Sequence, residues 1–251
     1  MPPERGAVPD ERGAAPVAFI TGAAGGIGRA LIERLRAGRW QIHATDRVLA
    51  AVPCTDSGFR MASLDVTDEA GLAGAVADCV AAFGRIDHVI HLAGETGQGP
   101  VDRVSRAEWD RLLAVNLTSA FLLAKTVHAP LAASQGSLTL VSSTNGLNGG
   151  SALSGPAYAV AKAGLVNLVR YLAKEWALER IRVNAVAPGP IDTPMVARFG
   201  ADERARIVAA VPLGRLGEAR EVAAAIAYLI GRDAGWTTGT VLNVSGGGVL
   251  D

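Results

Sequence analysis

The chain has 251 residues, of which 49% are hydrophobic, and its 24 basic and 24 acidic side chains give a formal net charge of zero. This length suffices for one well-packed domain, and without a basic excess we expect no nucleic-acid partner and no attraction to an anionic membrane surface. The first 15 residues mix proline, glycine and charge, so we expect a disordered tail, residues 1–15, followed by a single domain over 16–251.

Along the chain, short runs rich in valine and isoleucine alternate with longer helical patterns. The runs predict strands at 17–21, 41–46, within 59–66, and at 88–94, 137–143, 181–188 and 240–244. The helical patterns predict helices at 26–38, 68–82, 105–133, 156–179 and 218–230, with irregular or short helical structure over 190–217. Alternation of this kind predicts a parallel sheet with helices on both faces. Because the runs are continuously apolar, we expect an α/β, doubly wound sheet of about seven strands, buried on both sides.

Ligands of such sheets bind beyond the carboxyl ends of the strands, so the residues directly after each strand are the informative ones. The first predicted strand ends in TGAAGGIG, where Gly22, Gly26 and Gly28 open a helix. Glycines let the backbone approach a pyrophosphate, and a helix N-terminus favours an anion. Asp46 ends the second strand, where it can accept hydrogen bonds from the adenosine ribose and would repel a 2′-phosphate. Arg47 follows it and keeps a phosphorylated dinucleotide open as an alternative.

The sequence YAVAK holds a phenol and an ammonium group four positions apart. On a helix, Tyr158 and Lys162 therefore share one face. A cation near a phenol lowers its pKa, which suits a tyrosine that donates and takes protons. The alternative is a half-buried tyrosine beside a lysine that reaches for water.

Further short motifs follow in chain order. They are Asp65-Val66, Ala93-Gly94, Asn116 in VNL, Ser143 in VSS, and Pro188-Gly189 with Thr193. Together with the glycine-rich turn and YAVAK, these motifs make residues 16–248 resemble the short-chain dehydrogenase/reductase family.

The resemblance implies a Rossmann-type fold, a nicotinamide dinucleotide and a defined set of site residues. The implied cofactor-binding residues are Gly22, Gly26, Ile27, Gly28, Asp46, Asp65, Val66, Ala93, Gly94, Tyr158, Lys162, Pro188, Gly189, Ile191 and Thr193. In the implied catalytic set, Tyr158 exchanges a proton with the substrate oxygen, and Lys162 lowers the pKa of the phenol and binds the nicotinamide ribose. Ser143 steadies the substrate oxygen, and Asn116 positions a water that links the lysine to solvent.

The chain departs from the family pattern at two places. The family's NNAG element is HLAG here, so His91 and Leu92 replace two asparagines, and we expect altered local hydrogen bonding rather than lost activity. The spacing from Ser143 to Tyr158 is two residues longer than expected. We take Ser143 rather than Ser142 as the catalytic serine because TNG follows it.

The substrate is the least specified part of the prediction. We expect Glu95, Ser143, Asn145 and Tyr158 to contact it, with further lining from residues 150–157 and 195–212. Glu95 can accept a hydroxyl and Arg198 can meet an anion, and each can equally be a solvated loop charge. A small or medium secondary alcohol or ketone fits these residues.

We therefore predict an NAD-dependent enzyme, with NADP possible, that interconverts a secondary alcohol and a ketone. One alternative is an NADPH-dependent ketoreductase acting on 3-oxoacyl chains, and another is a dinucleotide-binding redox sensor without turnover. The four histidines and the two cysteines, Cys54 and Cys79, show no metal-ligand spacing, so we predict no metal. The first 15 residues lack the apolar core of a signal peptide and no run predicts a membrane span, so we expect a cytoplasmic protein. The family resemblance implies a homo-oligomer, a tetramer.

Overall fold

The computed structural model of the protein describes residues 15–48 and 57–250. The predicted tail therefore lies outside the described residues apart from Ala15, as does Cys54, and the division into one domain stays a prediction. The strands of the main sheet are β1 Val17–Thr21, β2 Gln41–Asp46, β3 Phe59–Ser63, β4 His88–His91, β5 Ser137–Val141, β6 Arg182–Pro188 and, last in the chain, β9 Val241–Val244. Two short strands between β6 and β9, β7 Ile191–Asp192 and β8 Gly217–Glu218, pair separately.

All neighbouring strands of the main sheet are parallel, in the order β3-β2-β1-β4-β5-β6-β9. The prediction of a doubly wound parallel sheet of about seven strands is thus confirmed. From β1 the chain first builds outward through β2 and β3, then returns to β4 on the other side of β1. The order of strands therefore reverses between β1 and β4, and a crevice opens beyond the carboxyl ends of these two strands.

Helices cover both faces of the sheet. They are α1 Gly26–Ala37, α2 Glu69–Phe83, α3 Arg106–Leu113, α4 Ser119–Ser134, α5 Asn145–Asn148, α6 Pro156–Glu175, α7 Pro194–Ala197, α8 Ala201–Ala209 and α9 Ala219–Ile230. Alternate residues of β1 point to opposite faces: Val17 and Phe19 pack with α2, α4 and α6, whereas Ala18 and Ile20 pack with α1 and α9. Burial of every residue of β1 explains why the run is continuously apolar.

The helix predicted over 105–133 is interrupted. Ser105 caps α3 by accepting a hydrogen bond from the amide of Glu108, as the sequence predicts. Between α3 and α4 the segment Ala114–Thr118 forms a π-helical turn. The whole stretch Arg106–Ser134 is long and apolar enough, by length and composition, to cross a membrane, which the sequence analysis did not anticipate. Several of its large apolar residues instead lie in the core, where Leu112, Leu123 and Leu131 are fully buried, so we assign it as a core helix.

Candidate active site

A cleft of about 410 Å³ lies at the carboxyl ends of the strands, where their order reverses. Most predicted site residues line it: Gly22, Gly26, Ile27, Gly28, Asp46, Asp65, Val66, Ala93, Gly94, Glu95, Ser143, Tyr158, Lys162, Pro188, Gly189, Ile191 and Thr193. Asn116 and Asn145 lie behind this surface. The fold therefore gathers residues from almost the whole length of the described chain around one cavity.

The glycine-rich turn at one end of the cleft leaves no room for side chains. Gly22 has a φ of +70°, and a Cβ there would lie 2.5 Å from the amide nitrogen of Ala93 on the neighbouring strand end. A Cβ on Gly26 would lie 2.7 Å from Cγ2 of Thr193, on the opposite wall. The turn leads directly into the N-terminus of α1, where free N–H groups and the helix dipole favour an anion. This narrow backbone cradle fits the pyrophosphate of a dinucleotide.

Asp46 ends β2 beside this turn. Its Oδ2 accepts a hydrogen bond of 2.9 Å from the amide of Ala24, and its Oδ1 accepts one of 3.1 Å from the amide of Val48. The carboxylate is therefore held against the glycine-rich turn and also lines the cleft. Spare lone pairs of a fixed carboxylate fit ribose hydroxyls, which donate hydrogen bonds, and oppose a phosphate in the same place.

Tyr158 and Ser143 meet in the opposite half of the cleft. Tyr158 lies in the first turn of α6, which begins at Pro156, and Ser143 follows β5. Both residues are 8% exposed and line the cleft, and Ser143 is one of the groups that lower the pKa of the phenol. Ser142 faces away, because its hydroxyl donates to the carbonyl oxygen of Lys162 at 2.8 Å. Of the two adjacent serines, Ser143 is thus the one that presents its hydroxyl beside the phenol.

Lys162 lies one helical turn after Tyr158, with Nζ 5.5 Å from the centre of the phenol ring. Its ammonium donates to the carbonyl oxygen of Val141 at 2.8 Å, and burial lowers its pKa to about 8. The expectation that Lys162 sets a low pKa for the phenol is wrong for this structure. Burial is the largest influence on Tyr158 and raises its pKa, while the hydrogen bond from Ser143 and the charge of Arg198 oppose the rise.

Asn116 lies in the π-helical turn and is fully buried. Its Nδ2 donates to the carbonyl oxygens of Glu95, at 2.8 Å, and of Leu112, at 2.9 Å, while its Oδ1 accepts from the amide of Glu95 at 3.1 Å. Gly94 lies between Asn116 and Lys162, where there is no room for a side chain. A Cβ there would lie 2.8 Å from Oδ1 of Asn116 and 3.3 Å from Nζ of Lys162. The asparagine therefore fixes the loop that passes directly beneath the lysine.

His91, one of the departures from the family pattern, joins three elements. Its Nδ1 lies 2.7 Å from Oγ1 of Thr21, and its Nε2 lies 3.0 Å from Oγ of Ser119. Ser119 donates to the carbonyl oxygen of Val115, so its oxygen accepts from the histidine, which assigns the proton to Nε2. Burial and the charge of Lys162 lower the pKa of His91 to about 3, so the ring is neutral.

The outer wall of the cleft comes from α7 and its neighbours, where Met195 and Val196 line the cavity. Arg198 follows α7, and its Nη2 donates to the carbonyl oxygens of Leu153 at 2.7 Å and Gly97 at 3.3 Å. The predicted substrate residue Asn145 instead starts α5, and its backbone N–H donates to Oγ of Ser143 at 3.2 Å. Glu95 reaches the cleft, but its carboxylate forms an ion pair with Arg111.

Sequence reasoning assigned no role in the site to several apolar residues of the lining. Leu92, Val115 and Val141 contribute to the walls. Nothing in the sequence distinguishes these residues from the core, since they continue the apolar runs that predict the sheet and the central helix.

Comparisons with known proteins agree with this architecture. A family model described as "Enoyl-(Acyl carrier protein) reductase" matches residues 22–248. The 3-oxoacyl-[acyl-carrier-protein] reductase of Escherichia coli is 37% identical over 238 residues, covering 92% of this chain and 96% of its own. The cis-4-hydroxycyclohexanecarboxylate dehydrogenase of Sinomonas cyclohexanicum is 39% identical over 242 residues, covering 92% and 95%. The crystal structure of a 3-oxoacyl-[acyl-carrier protein] reductase from Brucella melitensis superposes with a TM-score of 0.85 at 30% identity, covering 92% and 90%.

Proposed function

Because the chain belongs to the short-chain dehydrogenase/reductase family and is an oxidoreductase, we propose that it interconverts a secondary alcohol and a ketone with NAD as cofactor. The observation that carries the proposal is the cleft itself, which is lined by the Asp46 carboxylate and by both Ser143 and Tyr158. Family membership supports a nicotinamide dinucleotide. The choice of NAD, the substrate and the residue roles are our proposal.

The cradle formed by the glycine-rich turn and the N-terminus of α1 would hold the pyrophosphate. Asp46 would hold the adenosine ribose, with Asp65 and Val66 beside the adenine, and Lys162 with Thr193 would hold the nicotinamide half. When bound, the dinucleotide supplies the hydride acceptor or donor.

The chain's own groups handle the proton. In ketone reduction, the Tyr158 hydroxyl donates its proton to the substrate oxygen, and the hydroxyl of Ser143 donates a hydrogen bond to that oxygen as charge develops on it. In alcohol oxidation, the phenolate takes the proton back. Since Tyr158 is only 8% exposed, its phenol needs a nearby positive charge to reach the ionised form, and the charge of Arg198 lowers the phenol's pKa.

The printed names of the relatives support the reaction class. A 3-oxoacyl group contains a ketone, and hydroxycyclohexanecarboxylate contains a secondary alcohol. The name of the Escherichia coli relative also favours the second candidate, an NADPH-dependent 3-oxoacyl reductase. In addition, Arg47 lines the cleft beside Asp46, where a 2′-phosphate would be. We rank NAD first because the Asp46 carboxylate is itself fixed in that position by two backbone amides.

One experiment separates these candidates. Purified protein is assayed with NAD, NADP and their reduced forms against secondary alcohols, cyclic ketones and 3-oxoacyl thioesters. We expect kcat/KM to be at least about tenfold higher with NAD or NADH, which corresponds to about 1.4 kcal/mol. A preference of that size for the phosphorylated cofactor contradicts our assignment of Asp46, and dinucleotide binding without any turnover favours a redox sensor. We further propose that the protein works in the cytoplasm as a homo-oligomer.

A further inference from the structure

Arg198 provides a cation at the mouth of the cleft, and its contacts leave much of its hydrogen-bonding capacity unused. All three of its hydrogen bonds come from Nη2, to the carbonyl oxygens of Leu153 and Gly97 and, at 3.5 Å, to Oγ1 of Thr96. These acceptors are all neutral. Within residues 15–48 and 57–250, no acceptor is recorded for Nε or Nη1, and a guanidinium group carries five N–H donors in a planar fork.

The guanidinium group is exposed to solvent, and several contacts orient it. It lies 4.7 Å from the centre of the Phe199 ring, at the distance of a cation–π contact. Its bonds to Leu153 and Gly97 join the segment after α7 to two loops. One of these loops leads into α6 and Tyr158, and the other follows Gly94, so the cation bridges three segments that also contribute residues to the cleft.

No acidic side chain in the described part of the chain forms an ion pair with Arg198. Glu95, which also lines the cleft, is neutralised by Arg111. Neither Glu95 nor Glu108 forms an ion pair with Arg198 in the described part of the chain. In the described part of the chain, Lys162 hydrogen-bonds to a carbonyl oxygen and forms no ion pair. The charge of Arg198 lowers the pKa of the Tyr158 phenol.

We infer that Arg198 determines specificity by binding a carboxylate on the substrate, so that this enzyme acts on small hydroxy or oxo acids whose free carboxylate lies beyond the reacting carbon. The inference rests on the proposed function, since it adds a substrate class to the same cleft. A carboxylate accepts charge-assisted, two-pronged hydrogen bonds from the unused donors, which are stronger than bonds to neutral carbonyls. A substrate presented as an ester or thioester lacks this charge and gains no such contact.

The inference is tested first by binding, which does not depend on turnover. Calorimetry measures the affinity of cyclohexanecarboxylate, and of its uncharged methyl ester, for the protein saturated with NADH. For the Arg198→Met variant we expect the carboxylate to bind about 10- to 100-fold more weakly, as for loss of a charge-assisted pair, while the ester changes by less than about threefold.

Two variants serve as controls. Arg204→Met removes a cation from the next helix, α8, where Arg204 pairs with Asp192 at 3.2 Å, and we expect no change in carboxylate affinity. Thr96→Val removes a neutral contact of the guanidinium group but keeps the charge, so carboxylate binding should also survive. An equal loss of affinity for acid and ester in Arg198→Met would show that the arginine only holds the loops in place, which would overturn the inference. Unchanged binding of both would overturn it as well.

Turnover gives the second readout. The wild type should reduce 4-oxocyclohexanecarboxylate more efficiently than its methyl ester, and Arg198→Met should remove this preference mainly through KM. Selective carboxylate binding without reduction of either ketone would contradict the proposed function and leave the anion site standing. Reduction of both ketones with no preference that depends on Arg198 would contradict the inference and leave the proposed function standing.

A further comparison shows whether Arg198 binds a distant phosphate instead. It uses a 3-oxoacyl thioester of coenzyme A, which carries phosphates far from the ketone, and the matching thioester of N-acetylcysteamine, which carries none. Loss of a coenzyme A preference in Arg198→Met, with no effect on the free acid, would also overturn the assignment.

Discussion

Lys162 and Tyr158 share one face of α6, yet the ammonium group bonds to the carbonyl oxygen of Val141 and not to the phenol. The pKa of Lys162 is lowered to about 8, while that of Tyr158 is raised above its usual value of 10. As the pH rises, the lysine therefore loses its charge before the phenol ionises. In this structure Tyr158 is a proton donor, and its base form needs added positive charge in the cleft.

The first prediction concerns this order of ionisation. In the protein without added dinucleotide, Tyr158 should ionise above pH 10, and NAD, whose nicotinamide is cationic, should lower that pKa. The ultraviolet absorbance of tyrosinate, taken as the difference between wild type and Tyr158→Phe, isolates this residue from Tyr171 and Tyr228. Arg198→Met should raise the pKa further, because the arginine's charge favours the phenolate. Ionisation of Tyr158 below pH 8 without dinucleotide would contradict the prediction.

The second prediction concerns catalysis by the same phenol. Tyr158→Phe removes one hydroxyl from a fully packed position, so the fold and the dinucleotide affinity should remain. Loss of a general acid and base should lower kcat by about 10²- to 10⁴-fold. Stopped-flow and steady-state kinetics measure the rate, while NADH fluorescence titration and circular dichroism provide the controls. Turnover equal to that of the wild type would leave the proposed mechanism without its proton donor.

The third prediction concerns cofactor choice. Asp46→Asn keeps an oxygen that can accept from the amide of Ala24 but removes the negative charge that opposes a 2′-phosphate. We expect the ratio of kcat/KM for NAD to that for NADP to fall by about tenfold or more, as for removal of one charge repulsion of about 1.4 kcal/mol. Asp65→Asn, at the end of the pocket further from the turn, is the matched control and should change the ratio less. An unaltered ratio in Asp46→Asn would show that the carboxylate does not face the ribose.

Much of the fold and of the cleft follows from sequence because both depend on strongly patterned residues. Continuous apolar runs predict the buried strands, and the residues directly after them, such as Asp46 and Ser143, enter the cleft by topology alone. The predicted strand over 88–94 ends instead at His91, because beyond it the chain leaves β1 and turns into the cleft. The π-helical turn at Asn116 and the reach of Arg198 across the cleft depend on tertiary contacts, which leave no periodic signal in the sequence.

The fourth prediction uses the buried imidazole of His91 as a reporter of stability. Its pKa falls from 6.5 to about 3 in the folded protein, so between these values the unfolded chain binds a proton that the folded one does not. The stabilisation is complete above pH 6.5 and is lost as the pH falls, at up to about 1.4 kcal/mol per pH unit. Asn at this position does not titrate. The gap, defined as the unfolding free energy of wild type minus that of His91→Asn, should therefore fall by about 2 kcal/mol from pH 6.5 to 5.

Urea denaturation at several pH values measures this gap, and effects of the other histidines cancel in the difference. A gap that stays constant with pH would mean that folding leaves the pKa of His91 unchanged, against the neutral ring assigned to the folded protein.

The fifth prediction concerns assembly. Large apolar side chains remain exposed on the two central helices that cover the same face of the sheet: Phe121 on α4 is 54% exposed, and Val160 and Tyr171 on α6 are 48% and 61% exposed. Exposed apolar residues on neighbouring helices favour association, and the predicted tetramer would cover them.

Light scattering should therefore give a mass several times the 25.8 kDa of one chain. Phe121→Lys combined with Val160→Lys should lower that mass, whereas Val101→Lys, at a valine outside these helices that is 75% exposed, should not. A wild-type mass of one chain would contradict assembly, and a tetramer unaffected by the double variant would move the interface elsewhere.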